Sequence, residues 1–171
     1  MTINNIPIPS KDTVRCLGMI LNRRMTWKRH IVDKSKELKS KLKKFYWLIG
    51  RRCNLNVQSK IMLYKAVLKP VWTYGNQLWG TASNSNIEIL QRFQSKTLRS
   101  LIDAPCYVTN ETIHRNLKIS TVKEEISKFS NWFNIRVNNH QNPLVTQLLD
   151  TADQIRRLKR QHPLDLSIRF N

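Results

Sequence analysis

Apolar residues recur at helical spacing along most of this chain, and only the N-terminal stretch departs from that period. Between Trp27 and Ile49, the residues Ile31, Leu38, Leu42, Phe45 and Ile49 form one stripe. The stripe predicts a helix that stops near Gly50, a residue suited to the position just past a helix end. A second helix is predicted over Val57–Lys69, with Asn56 as N-cap, Ile61, Tyr64 and Leu68 on its inner side, and Pro70 as terminator. Val71–Thr81 is aromatic and carries two glycines, so it either prolongs a kinked helix or forms a packed loop. Ser85 or Asn86 should cap a third helix, Ile87–Ile102, and Asn110 a short turn of helix around Thr112–Leu117. Thr121 and Glu124 have capping-box spacing, opening a helix with Val122, Ile126, Phe129, Phe133 and Val137 on one face. Asn142-Pro143 begins a further short helix, to about Asp150. The tail from Gln154 to Asn171 is basic and contains Pro163, and should be loosely ordered.

Before Trp27 the pattern is different. Pro7 and Pro9 punctuate short apolar steps, and Val14–Leu21 (VRCLGMIL) is rich in strand formers. About two strands are expected, too few for a self-sufficient sheet. The fold class is therefore mainly α, a short N-terminal β-hairpin followed by a helical bundle of five or six helices.

Charge changes this picture most. From Arg23 to Arg52 there are twelve Lys/Arg against two acids, Asp33 and Glu37, in a chain of 171 residues and formal charge +19. Like charges one helical turn apart repel. A helix with one side in a core and the other covered in cations fits a polyanion, with nucleic acid the leading candidate. Only four glycines occur, against phosphate-cradling loops. Cys16, Cys53 and Cys106 lie far apart without a CxxC or a neighbouring His pair, which argues against zinc. The sparse, odd count suits a reducing compartment. No signal-peptide pattern and no apolar run long enough to cross a membrane is present.

The acids include no Asp-Asp pair able to hold two metal ions, and His30, His114, His140 and His162 lack a Ser or Cys at a suggestive spacing. Binding is the better-supported chemistry. Candidate nucleic-acid contacts are Arg23, Arg24, Trp27, Lys28, Arg29, His30, Lys34, Lys36, Lys41, Lys44, Lys65 and Lys69. The first of these set an aromatic ring among cations at a helix start, a mixture suited to phosphates plus stacking. Trp27 itself reads first as a core anchor, with stacking as the alternative. Lys60, Arg92, Lys96 and Arg99 could extend the cations into a continuous wall. Trp72, Tyr74 and Trp79 read as core.

The words VRCLGMIL, MTWKRHI, LYKAVLKPVWTYGNQLWG, SNIEILQRFQSKTLRSLIDAPCYV and RLKRQHPLDL, in that order, resemble the C-terminal part of reverse transcriptases from insect non-LTR retrotransposons of the jockey-like group. In that family the palm ends with a Y-x-D-D strand pair, followed by a hairpin, a word like YLG, and a word like LTWxxHI leading into the thumb. Val14–Leu21 matches the YLG-bearing strand, with Cys16 where Tyr is usual. Met25-Thr26-Trp27 with His30-Ile31 matches the start of the thumb. The resemblance implies a fragment: the palm-end hairpin at 1–24, a basic thumb-like domain at 25–104, a C-terminal helical segment at 105–153 and a basic tail at 154–171. The fingers, the palm and its Mg²⁺-binding carboxylates would precede Met1, so no catalytic residue carries over and no cofactor is expected in this chain. The implied partners are RNA or DNA, held through the backbone, and the missing fingers and palm of the same polyprotein, with no membrane. The implied location is intracellular, in cytoplasm or nucleus. The rival reading is a helical interaction module that contacts an acidic protein or an RNA scaffold and has no polymerase role.

Overall fold

In the computed structural model the described residues are 2–3, 6–7, 11–50, 53–146 and 166. Two short antiparallel ladders open the chain. β1 (Thr2–Ile3) pairs with β2 (Ile6–Pro7), and β3 (Thr13–Cys16) pairs with β4 (Met19–Asn22), from Thr13 opposite Asn22 to Cys16 opposite Met19. Leu17 and Gly18 join β3 to β4 with φ of 47° and 74°. Both are left-handed, the turn geometry whose twist matches that of paired strands. The run Val14–Leu21 is thus not one strand but a hairpin that turns at its middle. Among the described residues the hairpin packs on helices. Met19 enters the core, whereas Val14 and Leu17 stay exposed.

The helices follow as α1 (Lys28–Ile49), α2 (Val57–Leu63), a π-helical turn (Tyr64–Leu68), α3 (Lys69–Thr73) and α4 (Asn76–Trp79). After these come α5 (Asn84–Leu101), α6 (Asn110–Leu117), α7 (Val122–Asn138) and α8 (Pro143–Thr146). α1 ends at Gly50 as its stripe predicts, although Gly50 is extended rather than left-handed. The glycine is needed for closeness: a Cβ there would lie 2.6 Å from the Tyr46 carbonyl oxygen. Asn56 caps α2 through the Gln58 N–H.

Pro70 does not stop this helix. It falls in the first turn of α3, directly after the π-helical turn. A proline ring clashes with the carbonyl four residues back and leaves it without a donor. The wider turn accommodates the ring, and the helical path continues to Thr73. Left-handed Gly75 then reverses the chain against the hairpin, where a Cβ would sit 2.7 Å from the Met19 sulfur.

α5 begins after Ser83, earlier than Ser85 or Asn86, and α6 is capped by Thr109 rather than Asn110. The Thr121–Glu124 capping box is present at the start of α7. α7 buries Val122, Ile126 and, in its last turn, Val137, but Phe133 is exposed. α8 is described only to Thr146, so its expected extension to Asp150 lies outside the described residues, as does the basic tail apart from Leu166. That residue is buried beside Gly80.

One core runs through these elements. α1 lies along α5 and contributes Ile31, Leu38 and Ile49, which meet Leu90, Phe93, Leu98 and Leu101. Tyr64, Leu68 and Trp72 fill the next layer. Burial pushes the Tyr64 phenol up to about 12, so it stays neutral. Trp72 and Trp79 are core as expected, but Tyr74 is half-exposed and donates its hydroxyl to the Leu17 carbonyl at 2.8 Å, tying the turn at its foot to the hairpin tip.

Candidate nucleic-acid interface

The site begins at the junction between β4 and α1. Asn22 accepts from the Thr26 N–H and donates to the Thr26 hydroxyl, both at 2.8 Å. This staple fixes the intervening turn and presents Arg23 and Arg24 to solvent next to exposed Lys28 and Arg29. The first turn of α1 carries no acid and its N-cap supplies no side-chain hydrogen bond. Cations at a helix N-terminus oppose the helix macrodipole. Four cations therefore converge where an anion, rather than another cation, is electrostatically suited.

Trp27 and His30 do not belong to that surface. Trp27 is 3% exposed, adopts φ of 60°, and donates its indole N–H to the Thr81 hydroxyl at 3.1 Å. His30 is 2% exposed, packs edge-on to Trp27, and accepts the Ile20 N–H at Nδ1. Burial, then the nearby Lys34 ammonium, lowers the His30 pKa below its usual 6.5 against weaker pulls from Asp33 and Glu37. Both residues are anchors. The stacking alternative for Trp27 and direct contact by His30 are corrected: both rings are buried, and His30 reaches only the wall of a recess beside Asp33 and Lys34.

Along α1 the cations divide into two flanks. On the side toward the hairpin, Glu37 receives Lys34 at 3.1 Å and Lys41 at 3.5 Å, and Asp33 lies 4.0 Å from Lys36. Burial works against the Glu37 carboxylate, but the two lysines outweigh it and hold its pKa below the usual range. Asp33, Lys34 and Glu37 line a recess of about 400 Å³ with Arg15 and Ile20. Lys34, Lys36 and Lys41 are thus partly neutralised by their own helix. Lys44 points outward and exposed, with no acidic partner among the described residues.

On the side toward α5 the acids are gone. Lys39 faces Arg92 and Lys96 across a groove of about 330 Å³ floored by Leu42, Ile89 and Phe93, and no Asp or Glu lines it. The nearest acid on α5, Glu88, turns its carboxylate to Lys123 of α7 at 3.6 Å. Arg92 donates its Nε–H to the Glu88 carbonyl, which leaves its outer nitrogens for another acceptor. Lys28 and Lys43 continue the cations of this flank along α1, at helical spacings from Lys39.

The remaining basic residues have other duties. Lys65 is exposed, but Lys69 pairs with the largely buried Glu125 of α7 at 2.6 Å, a cross-helix tie rather than a ligand contact. Lys60 is buried and donates to the Gly50 carbonyl at 3.1 Å, capping the end of α1. Arg99 donates to the Pro105 and Val108 carbonyls at 2.7 Å and to Asn110, organising the loop before α6. The continuous wall proposed from sequence is therefore interrupted at these three positions. Arg51 and Arg52 lie outside the described residues.

Two features of the surface were not grouped by the sequence, although Arg92 and Lys96 were expected to extend its basic wall. Lys39, Arg92 and Lys96 come together only when α1 packs on α5. Trp47, 73% exposed beside Lys43, is an aromatic ring among cations that faces solvent. The run Lys43-Lys44-Phe45-Tyr46-Trp47 carried the same signal as the helix start. Among the described residues no group of three His, Cys, Asp or Glu is placed to hold a metal ion, and no helix is long and apolar enough to cross a membrane.

No family model matches the chain, and no solved structure does. Curated relatives do. It is 38% identical over 167 residues to a probable RNA-directed DNA polymerase from transposon X-element of Drosophila melanogaster, covering 98% of this chain and 18% of that protein. It is 32% identical over 174 residues to the RNA-directed DNA polymerase from mobile element jockey of the same species, covering 97% and 19%. The chain matches one segment of the jockey-like non-LTR retrotransposon polymerases. A third relative, a probable RNA-directed DNA polymerase from transposon BS, is 30% identical over 93% of the chain. In each comparison the chain spans less than a fifth of the polymerase, 17% to 19% of its length.

Proposed function

We propose that this segment is the thumb-like grip of a jockey-like polymerase, holding a template–primer duplex through its phosphates and supplying no polymerisation chemistry by itself. The observation that carries this reading is the acid-free cationic groove of Lys39, Arg92 and Lys96 between α1 and α5, continued by Lys28 and Lys43. Arg23, Arg24, Lys28 and Arg29 add a second cluster where the hairpin enters α1. Cations on a rigid helical scaffold, with few polar groups suited to reading base edges, favour backbone contact without sequence preference. The hairpin of β3 and β4 is read as the end of the palm. The fingers and the carboxylate-bearing palm would be supplied by a longer polypeptide inside the cell. In this reading Mg²⁺ belongs to the carboxylates of that palm.

Titration of a labelled RNA–DNA hybrid against the chain at increasing salt tests this reading. Affinity should fall with a log–log slope of about −0.7 to −0.9 per phosphate contacted. Alanine at Arg23, Arg24, Lys28 and Arg29 should weaken binding equally for unrelated sequences. A shallow slope, or a change in base preference without loss of affinity, contradicts the grip. The second reading, an interaction module with no polymerase role, is favoured by one feature: Trp132, Phe133 and Ile135 stand exposed on the last turns of α7.

A further inference from the structure

Trp47 stands at the end of a ridge that starts inside the cationic groove. Ser35, Lys39, Lys43 and Trp47 are spaced four residues apart on α1, and the first two line the groove against α5. Such residues form a continuous diagonal row on a helix. The row leaves the α5 contact at Lys39, passes exposed Lys43, and ends on an indole that is 73% exposed. A single exposed apolar residue is ordinary on a protein surface; what sets Trp47 apart is its company, the lysines at positions 43 and 44.

Among the described residues its ring is also uncommitted. Trp27 is buried and packed on His30, and Arg136 covers the Trp132 ring at 4.5 Å. Of the other aromatics at this end, Phe45 packs against the core and Tyr46 lies close against Gly50. Among the described residues, no aromatic ring or guanidinium stacks on Trp47. An indole face beside ammonium groups offers a stacked base a surface and its phosphates a counter-charge, the combination used to hold single strands.

We propose that Trp47 is a stacking platform for an unpaired nucleotide of the strand whose backbone lies in the Lys39–Arg92–Lys96 groove. The eight residues from Lys39 to Trp47 rise about 12 Å along the helix axis. At about 3.4 Å per stacked nucleotide, a base three or four positions beyond the phosphate held by Lys39 reaches the indole. The site therefore takes a single-stranded extension of RNA or DNA adjoining a duplex. The lysine-rich surroundings select a polyanion over an apolar protein face. This proposal rests on the grip reading but makes a separate demand, namely that the ligand have unpaired bases.

The test compares two RNA–DNA hybrids of equal duplex length, one blunt and one with a short unpaired extension, by fluorescence anisotropy. Wild type should bind the extended hybrid more tightly. Trp47→Ala should lose about tenfold on the extended hybrid and nothing on the blunt one, and Trp47→Phe should retain most of the advantage. Equal loss on both hybrids, or no loss on the extended one, overturns the platform and leaves the grip intact. No salt-sensitive binding of wild type to either hybrid overturns the grip, and the platform with it. Phosphatidylserine vesicles serve as a further arm: if Trp47→Ala abolishes vesicle binding while the extended hybrid is unaffected, the ring serves a membrane surface and the proposal fails.

Discussion

Both ends of α1 set a tryptophan near cations, and the two rings do opposite things. At the start, Trp27 sits among Arg23, Arg24, Lys28 and Arg29. At the end, Trp47 sits beside Lys43 and Lys44. Trp27 is locked into the core by burial, by its bond to Thr81 and by the edge of His30. Trp47 projects from the outer side of the same helix. The difference lies in tertiary placement: the β3–β4 hairpin and the segment around Thr81 close over the first ring, and no described element closes over the second. An aromatic among cations is therefore a statement about composition until packing assigns the ring to core or surface.

The largest expected effect breaks or confirms that contrast directly. Trp27→Ala should cost about 3–5 kcal/mol of unfolding free energy, read from a urea titration, whereas Trp47→Ala should stay within about 0.5 kcal/mol. Comparable losses would mean that Trp47 is packed. The next effect separates the lysines that tie helices from those that face solvent. Lys69→Met should cost about 1.5–3 kcal/mol by leaving Glu125 unpaired, and Lys65→Met close to nothing. If the two behave alike, the cross-helix tie contributes no net stability.

The smallest effect concerns the hairpin that covers Trp27. Because His30 accepts the Ile20 N–H at Nδ1, the folded chain needs the neutral ring, and its folded pKa lies below 6.5. The unfolded chain binds the proton first as pH falls. Stability from this residue is thus fully present above about pH 6.5 and declines from there toward the folded value. His30→Gln should flatten that part of the stability–pH curve. A variant with the wild-type slope would place the titration elsewhere.

Much of this architecture was legible because helical period and caps act locally. The stripe of α1, the Asn56 cap and the Thr121–Glu124 box all appear where the residues put them. Pro70 misled because its local rule, to end a helix, was absorbed by a π-helical turn that lets Leu68 and Trp72 remain in one core. The hairpin within Val14–Leu21 was hidden by Leu17, a poor turn former by composition that adopts φ of 47° beside Gly18. The site was legible in its charge and not in its grouping. Lys69, Lys60 and Arg99 look like surface cations in a string of letters, yet Glu125, the end of α1 and the loop before α6 claim them. Lys39, Arg92 and Lys96 lie more than fifty positions apart in part, and only the α1–α5 packing makes them one groove.

The central claim is that the acid-free flank of α1, not its total charge, holds the nucleic acid. The direct measurement is the salt slope of hybrid binding for two variants that remove lysines and arginines from opposite flanks. Lys39→Ala, Arg92→Ala and Lys96→Ala together should reduce the slope by about 2–3, while Lys34→Ala with Lys41→Ala should leave it near the wild-type value. Equal reductions per cation removed from the two flanks would contradict the account.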